Sequence, residues 1–437
     1  MKPAAASKVR RHLPPRPIRR LTAPLQRFLA VESASGLVLV GGTAVALVVA
    51  NSPLADAAHH LWDTPLGVSL GRLALREPLH FWVNDALMAV FFFVVGLEVK
   101  RELVAGELAS VRQATLPVVA AAGGMLVPAG VYLLLQAGRP GERGWGVPMA
   151  TDIAFVVGVL ALFGRRVPVG LKVFLLSLAI ADDIGAILVI AAFYSGNTDG
   201  AMLGLAATGL GLCVGLNRLG VRSLAVYGLV GAGVWLATVR SGVHPTIAGV
   251  LLGLLTPARP FVGPTALRLG MADLLADLGG DDPPELAELQ MLRFAAREAV
   301  SPLERLETAL HPWVGFAVMP VFALANAGVA VRLGALTDPV AVAVTAGLVL
   351  GKPLGIVGFS LLAVRLKLAR LPHGVSRPTL VGAGCLGGIG FTMSLFVAGL
   401  AFPDPAMLDA AKVGVLVGSG LSAAAGAAIL WRTLPRE

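Results

Sequence analysis

The stretch Val173-Phe-Leu-Leu-Ser-Leu-Ala-Ile-Ala-Asp182-Asp183-Ile-Gly-Ala-Ile-Leu-Val-Ile-Ala-Ala-Phe-Tyr194 decides how this chain is read. It is a run of apolar and small residues broken only by Ser177 and by two consecutive acids at its centre. At about 1.5 Å of rise per residue, each aspartate lies on the order of 15 Å from either end, the half-thickness of a bilayer's hydrocarbon core. Neither carboxylate can snorkel to water from there. One central aspartate costs roughly 2.5–3.5 kcal/mol on insertion. Two in succession imply a membrane-spanning helix whose acids face a hydrated cavity and handle cations or protons. The alternative is an acid pair buried against basic partners.

The rest of the chain supports a membrane setting. Of 437 residues, 56% are hydrophobic and only 14% charged, whereas charged residues approach a quarter of a soluble domain. The formal net charge of +9 would suggest a nucleic-acid partner in a soluble protein. Here the basic residues collect between apolar runs, so topology accounts for them and no nucleic acid is expected. Cys213 and Cys385 lie inside apolar segments and read as small core residues, with no disulfide, resident metal or other cofactor implied.

Windows of roughly 17–25 apolar residues are centred near residues 43, 90, 126, 154, 183, 208, 230, 250, 320, 351, 390 and 419. The expected fold is an all-α polytopic membrane protein with about twelve transmembrane helices. An even number puts both termini on one side, and the loops holding Lys100, Arg101, Arg165, Arg166, Arg365 and Lys367 place that side in the cytoplasm. Residues 1–30 form a basic cytoplasmic tail able to touch anionic lipid. Residues 31–432 form the transmembrane domain, and residues 433–437 a cytoplasmic C-terminus. Within the domain, residues 53–77 read as an outer hairpin loop. Residues 260–308 read as a cytoplasmic loop carrying an insertion and one amphipathic helix.

Adjacent residues on a helix point about 100° apart. At an effective dielectric of about 20 and roughly 6 Å, two such carboxylates repel by about 3 kcal/mol, and desolvation adds to that. At least one of the pair can then hold its proton near neutral pH and release it to admit a cation. Hard monovalent cations such as Na⁺ or Li⁺ prefer oxygen ligands, so competition for one site would couple cation flux to proton flux.

Two further segments carry polar residues where the run should be driest. Gly144-Trp-Gly-Val-Pro-Met-Ala-Thr151-Asp152 combines a proline with Thr151 and Asp152, and Gly384-Cys-Leu-Gly-Gly-Ile-Gly390-Phe-Thr392-Met-Ser394 is glycine-broken. Both read as discontinuous helices, and such a pair in the two halves of a chain points to a transporter site between inverted repeats. Lys352, inside the apolar run from Val340 to Val364, needs a buried partner. Asp182, Asp183 or the carbonyls of the broken helices are candidates, while Asp152 would offset helix N-termini. Asp85 is a further intramembrane acid, lining an access funnel or marking a helix end. His244 and His311 begin apolar runs beside prolines, as interfacial anchors or pH sensors. Glu98 and Glu102 close the second span.

Phe81-Trp-Val-Asn-Asp85, Val95-Gly-Leu-Glu-Val-Lys-Arg-Glu102, Ala150-Thr-Asp-Ile-Ala-Phe155, Leu178-Ala-Ile-Ala-Asp-Asp-Ile-Gly185, Gly351-Lys-Pro-Leu-Gly-Ile356 and Gly388-Ile-Gly-Phe-Thr-Met-Ser394 resemble the NhaA family of bacterial Na⁺/H⁺ antiporters. The likeness runs from about residue 30 to the C-terminus. It implies a multi-pass protein of the bacterial inner membrane with twelve helices and cytoplasmic termini. It further implies inverted repeats, two unwound helices crossing near the midplane, and electrogenic, pH-regulated exchange of Na⁺ or Li⁺ for H⁺ by alternating access.

By the same resemblance, Asp183 and Asp182 are the ion and proton carboxylates, Lys352 the partner of Asp182, and Thr151, Asp152 and Asp85 supporting residues. The resemblance places the family's pH-sensing groups on Glu98, Glu102, Glu307 and His311; His244 is a further candidate from its own context. The hairpin at 53–77 can pair two copies. The basic tail and the insertion lie outside the family pattern, and Thr308 stands where another titratable group is expected. A sodium-coupled symporter of an organic anion would need a more polar cavity than these Ala- and Gly-rich segments offer. An intramembrane aspartyl protease would need its acids on separate helices.

Overall fold

The computed structural model describes residues 32–70, 73–196, 198–221, 223–263, 265, 267–270, 286–330 and 333–435. The expected basic tail therefore lies outside the described residues, as does residues 271–285 of the inserted loop. Helix α1 (Glu32–Ala50) is followed at 116° by the short α2 (Ala55–Trp62). Strands β1 (Pro65–Leu70) and β2 (Leu73–Pro78) form the expected hairpin, in antiparallel register from Pro65↔Pro78 to Leu70↔Leu73. Trp82 on the next helix donates its indole N–H to the Leu66 carbonyl at 3.0 Å and ties the hairpin down.

Next come α3 (Leu79–Ala105) and α4 (Val111–Gln136), then a short tight helix, Pro140–Met149, bent by 45° from α5 (Ile153–Ala161). Helices α6 (Val169–Phe193), α7 (Gly200–Arg218), α8 (Leu224–Ser241) and α9 (Thr246–Leu255) precede α10 (Leu286–Glu298), the helix expected within residues 260–308. Helices α11 (Pro302–Asn326) and α12 (Pro339–Arg365) lead to α13 (Arg377–Gly387), which is bent by 44° from α14 (Phe391–Ala401). Helix α15 (Pro405–Thr433) ends the fold. Asp199, Asp338, Ser376 and Asp404 each cap a helix start by accepting a backbone N–H, which satisfies donors that have no intrahelical partner.

Among the described residues, eight helices are long and apolar enough to cross a membrane, and three bent pairs raise the number to as many as eleven. The span expected near residue 250 needs correction: α9 has 10 residues, about 15 Å of rise, which cannot cross the hydrocarbon core alone. It packs along α3 instead. There a Cβ on Gly249 would come within 2.2 Å of the Ala89 carbonyl oxygen and one on Gly253 within 2.5 Å of that of Phe93. Helices α4 and α12 meet in the same way, a Cβ on Gly355 falling 2.1 Å from the Gly123 carbonyl oxygen. Backbone-to-backbone contact of this kind is how apolar helices associate without a hydrophobic driving force between them.

Besides the bent α1–α2 pair, each half of the fold sets a broken helix between two unbroken ones: α4, Pro140–Ala161, α6, and later α12, Arg377–Ala401, α15. Helix α12 widens by one residue per turn over Gly347–Gly351, just before Lys352. Pro353 lacks an N–H to continue the regular ladder, and such wide turns gather at functional sites. At the far end of the bundle, Arg166, just beyond α5, donates to the carbonyls of Trp431, Leu434 and Pro435 at 3.2, 3.3 and 2.8 Å. Its guanidinium lies 5.3 Å over the Trp431 ring, closing the C-terminal end of α15 where carbonyls lack partners.

Candidate ion site at the crossing of two broken helices

The two breaks meet. The Asp152 N–H donates to the Ile389 carbonyl at 2.7 Å, and the Thr151 hydroxyl donates to the Gly387 carbonyl at 2.9 Å, at the last residue of α13. In return, the Ser394 hydroxyl donates to the Val147 carbonyl at 2.7 Å. Each broken segment therefore supplies a hydroxyl to a carbonyl that the other's break leaves without a helical partner.

Asp152 sits at the starts of both α5 and α14. Its Oδ1 accepts from Ala154 N at 3.1 Å and Phe155 N at 3.4 Å. Its Oδ2 accepts from Thr392 N at 3.2 Å and from the Thr392 hydroxyl. A negative group facing two helix N-termini complements both dipoles, as its sequence context suggests. With four bonds it is also saturated, which makes it a fastener of the crossing.

Lys352 settles the question of its partner. Its Nζ donates to Asp182 Oδ2 at 2.6 Å and to Thr151 Oγ1 at 2.8 Å. The lysine is 0% and Asp182 2% exposed. Asp182 is thus buried against a cation, the alternative its sequence left open. Its second oxygen, Oδ1, is buried and accepts no hydrogen bond among the described residues. Asp183, 4% exposed, accepts no side-chain or backbone hydrogen bond from any described residue. Asp182, Glu98, Asp152 and Lys352 are among the charged groups nearest to it. Both aspartates lie near the middle of α6.

The remaining predicted residues fall into two places. Asp85 sits in a wide turn of α3, with its carboxylate 3.7 Å from His244 Nε2 and its carbonyl accepting from Trp235 at 3.1 Å. His244 also bonds the Thr246 hydroxyl at 2.8 Å and stands edge-on to Phe396 of α14, ring centroids 5.3 Å apart. Toward the other end of α3, Arg101 is hydrogen-bonded to Glu307, while Lys100 donates to the Leu254 carbonyl at 2.9 Å and caps α9. Glu102 accepts from Glu107 N at 2.9 Å, and His311 lies one turn beyond Glu307 on α11. Glu98 to Asp85 is thirteen positions, about 20 Å along a helix. His244 therefore stands apart from the Glu98, Glu102 and Glu307 end.

Thr392, Ser394 and the Gly387 and Ile389 carbonyls hold the crossing, yet sequence reasoning quoted their segment without giving them roles. The available signal was a pair of hydroxyls two residues apart just past a glycine-rich break. Cys213 and Cys385 are buried free thiols.

Two opposed broken helices, a buried lysine bonded to an acid, and a second acid beside it define a polytopic membrane transporter with a central charged site. Comparison with known proteins sharpens that class. Residues 26–430 match the family model described as Na⁺/H⁺ antiporter 1. The chain is 52% identical over 435 residues to the Na(+)/H(+) antiporter NhaA of Rhodopirellula baltica, covering 97% of each chain. It is 51% identical over 429 residues to NhaA 2 of Acidiphilium cryptum, covering 97% of this chain and 95% of that one. It is 49% identical over 418 residues to NhaA of Rhizobium meliloti, covering 95% of each. The chain belongs to the NhaA family of Na⁺/H⁺ antiporters, and is a secondary transporter and not an enzyme.

Proposed function

We propose that this antiporter exchanges cytoplasmic Na⁺ or Li⁺ for external H⁺ at Asp183 and Asp182, by alternating access and with net charge movement. The observation that carries this reading is the asymmetry of the two acids. Asp182 is committed through one oxygen to Lys352 and, among the described residues, has no partner for Oδ1, whereas Asp183, buried beside it, is not bonded to the lysine. Carboxylate oxygens so disposed suit a hard monovalent cation or protons, but not both together, because a bound proton removes the charge that draws the cation. Occupancy by one therefore requires departure of the other. Thr151 and Asp152 support the site from the first break, and Lys352 sets the charge of Asp182.

The same reading places the protein in the bacterial inner membrane with cytoplasmic termini and the hairpin outside, supported by the Lys/Arg-rich loops. Glu98, Glu102, Glu307 and His311 then lie toward the cytoplasmic mouth as groups whose protonation regulates access, with His244 acting separately near Asp85. The β1–β2 hairpin is the proposed contact between two copies, and membrane lipids are the other partners. Proteoliposomes test the central claim: Na⁺ should dissipate an imposed pH gradient without any organic solute, and Asp183→Asn should abolish this while the protein stays folded. Full exchange by that variant would refute the assignment.

A further inference from the structure

The short helix Pro140–Met149, the first half of the first broken span, is gripped by two phenols. Tyr132, fully buried on α4, donates its hydroxyl to the Gly141 carbonyl at 2.7 Å. Tyr194, the residue after α6, donates to the Arg143 carbonyl at 2.8 Å and accepts from Gly146 N at 3.2 Å. The Gly144-Trp-Gly146 motif makes this possible. A Cβ on Gly144 would lie 2.4 Å from the Tyr132 hydroxyl, and one on Gly146 2.7 Å from that of Tyr194. Between them, Trp145 stands edge-on to Phe193 with ring centroids 5.1 Å apart. The two glycines thus admit hydroxyls to the backbone, besides interrupting a helix.

We propose that Tyr194 is a positioning residue for ion exchange: it ties the first half of the broken span to the aspartate-bearing helix, so that Thr151 stays within bonding reach of Lys352. Helix α6 carries Asp182 and Asp183, and Tyr194 follows its last residue. The gripped segment ends at Met149, two residues before Thr151, whose hydroxyl is the second partner of Lys352. Helix α6 therefore holds the lysine twice, directly through Asp182 and indirectly through Tyr194, the Pro140–Met149 segment and Thr151. Losing the Tyr194 hydroxyl leaves the segment to Tyr132 and to the Ser394 bond on Val147. Displacement of groups by a fraction of an ångström is costly at a site that must bind in one geometry.

The inference rests on the assignment of the ion site to Asp182, Asp183 and Lys352. Its test is Na⁺-driven exchange by the full chain in proteoliposomes, with KM, kcat and melting temperature measured for Tyr194→Phe, Gly146→Ala and their double variant. Tyr194→Phe should raise the KM for Na⁺ about fivefold, the worth of one neutral hydrogen bond, with kcat and melting temperature little changed. Gly146→Ala pushes the phenol away from the other side and should do the same. The double variant should be milder than the two effects multiplied, because removing the hydroxyl relieves the clash. An unchanged KM in both single variants, or a fall in melting temperature alone, overturns the positioning role. Asp183→Asn assayed alongside separates the two ideas: exchange by that variant refutes the ion-site assignment, while its loss together with unaltered Tyr194→Phe refutes only the role of Tyr194.

Discussion

Replacing Lys352 with alanine is the most discriminating perturbation of the buried pair. At an effective dielectric of about 20, a 2.6 Å contact between unit charges corresponds to about 6 kcal/mol of attraction. Much of that is offset by the desolvation of both ions, and the cost of breaking such a pair by deleting one partner is about 3–5 kcal/mol, because the other charge remains buried and unpaired. Unfolding entropy near 2.1 cal/mol/K per residue over 437 residues gives about 0.9 kcal/mol per kelvin. Lys352→Ala should therefore lower the melting temperature by roughly 3–5 °C in a thermal-unfolding assay without Na⁺. Asp182→Asn on top of it should restore most of the loss, since the orphaned charge is then gone. A double-mutant cycle giving simple additivity would refute the claim that the two side chains depend on each other.

Other parts of the site and scaffold give separate expectations. Asp152→Ala leaves the N–H groups of Ala154, Phe155 and Thr392 without their acceptor; loss of two helix caps should cost about 1–4 kcal/mol, read as a lower melting temperature. Gly355→Ala places a Cβ against the Gly123 carbonyl and should destabilise by about 1–3 kcal/mol, with Ser at the same position no better. Glu307→Gln releases Arg101, whose side chain is 46% exposed; stability should change by less than about 1 kcal/mol, whereas the pH profile of exchange should move. An unaltered profile would remove Glu307 from regulation.

The spans of α3, α4, α6, α12 and α15 were legible because a membrane helix writes its length into a long, mostly apolar run. The two breaks were legible for the opposite reason: Pro148 and the glycines of Gly384–Gly390 cannot sustain a helix through a dry region without other partners. Helix α9 was read as a full span because its apolar run gives no hint of where regular structure stops. His244 stands just before its start, its ring nitrogen within 3.5 Å of the Thr246 N–H. The choice of Asp182 over Asp183 as the partner of Lys352 came from the family resemblance alone; the residues themselves left both open. Two neighbours on one helix have nearly the same sequence context, and only the crossing angle of α6 and α12 decides which of them meets the ammonium. The reciprocal hydroxyl bonds at the crossing could not be read either, because they join residues 236 and 247 positions apart.

The Arg166 grip on the end of α15 bears on how the protein can be handled. Three of the last carbonyls of the chain are occupied by one guanidinium, so the segment through Pro435 is part of the folded body. A chain cut back to Thr433 would lose two of those acceptors and unseat the strap between the first broken span and α15. A purification tag or fluorescent reporter joined after Glu437 would leave it intact.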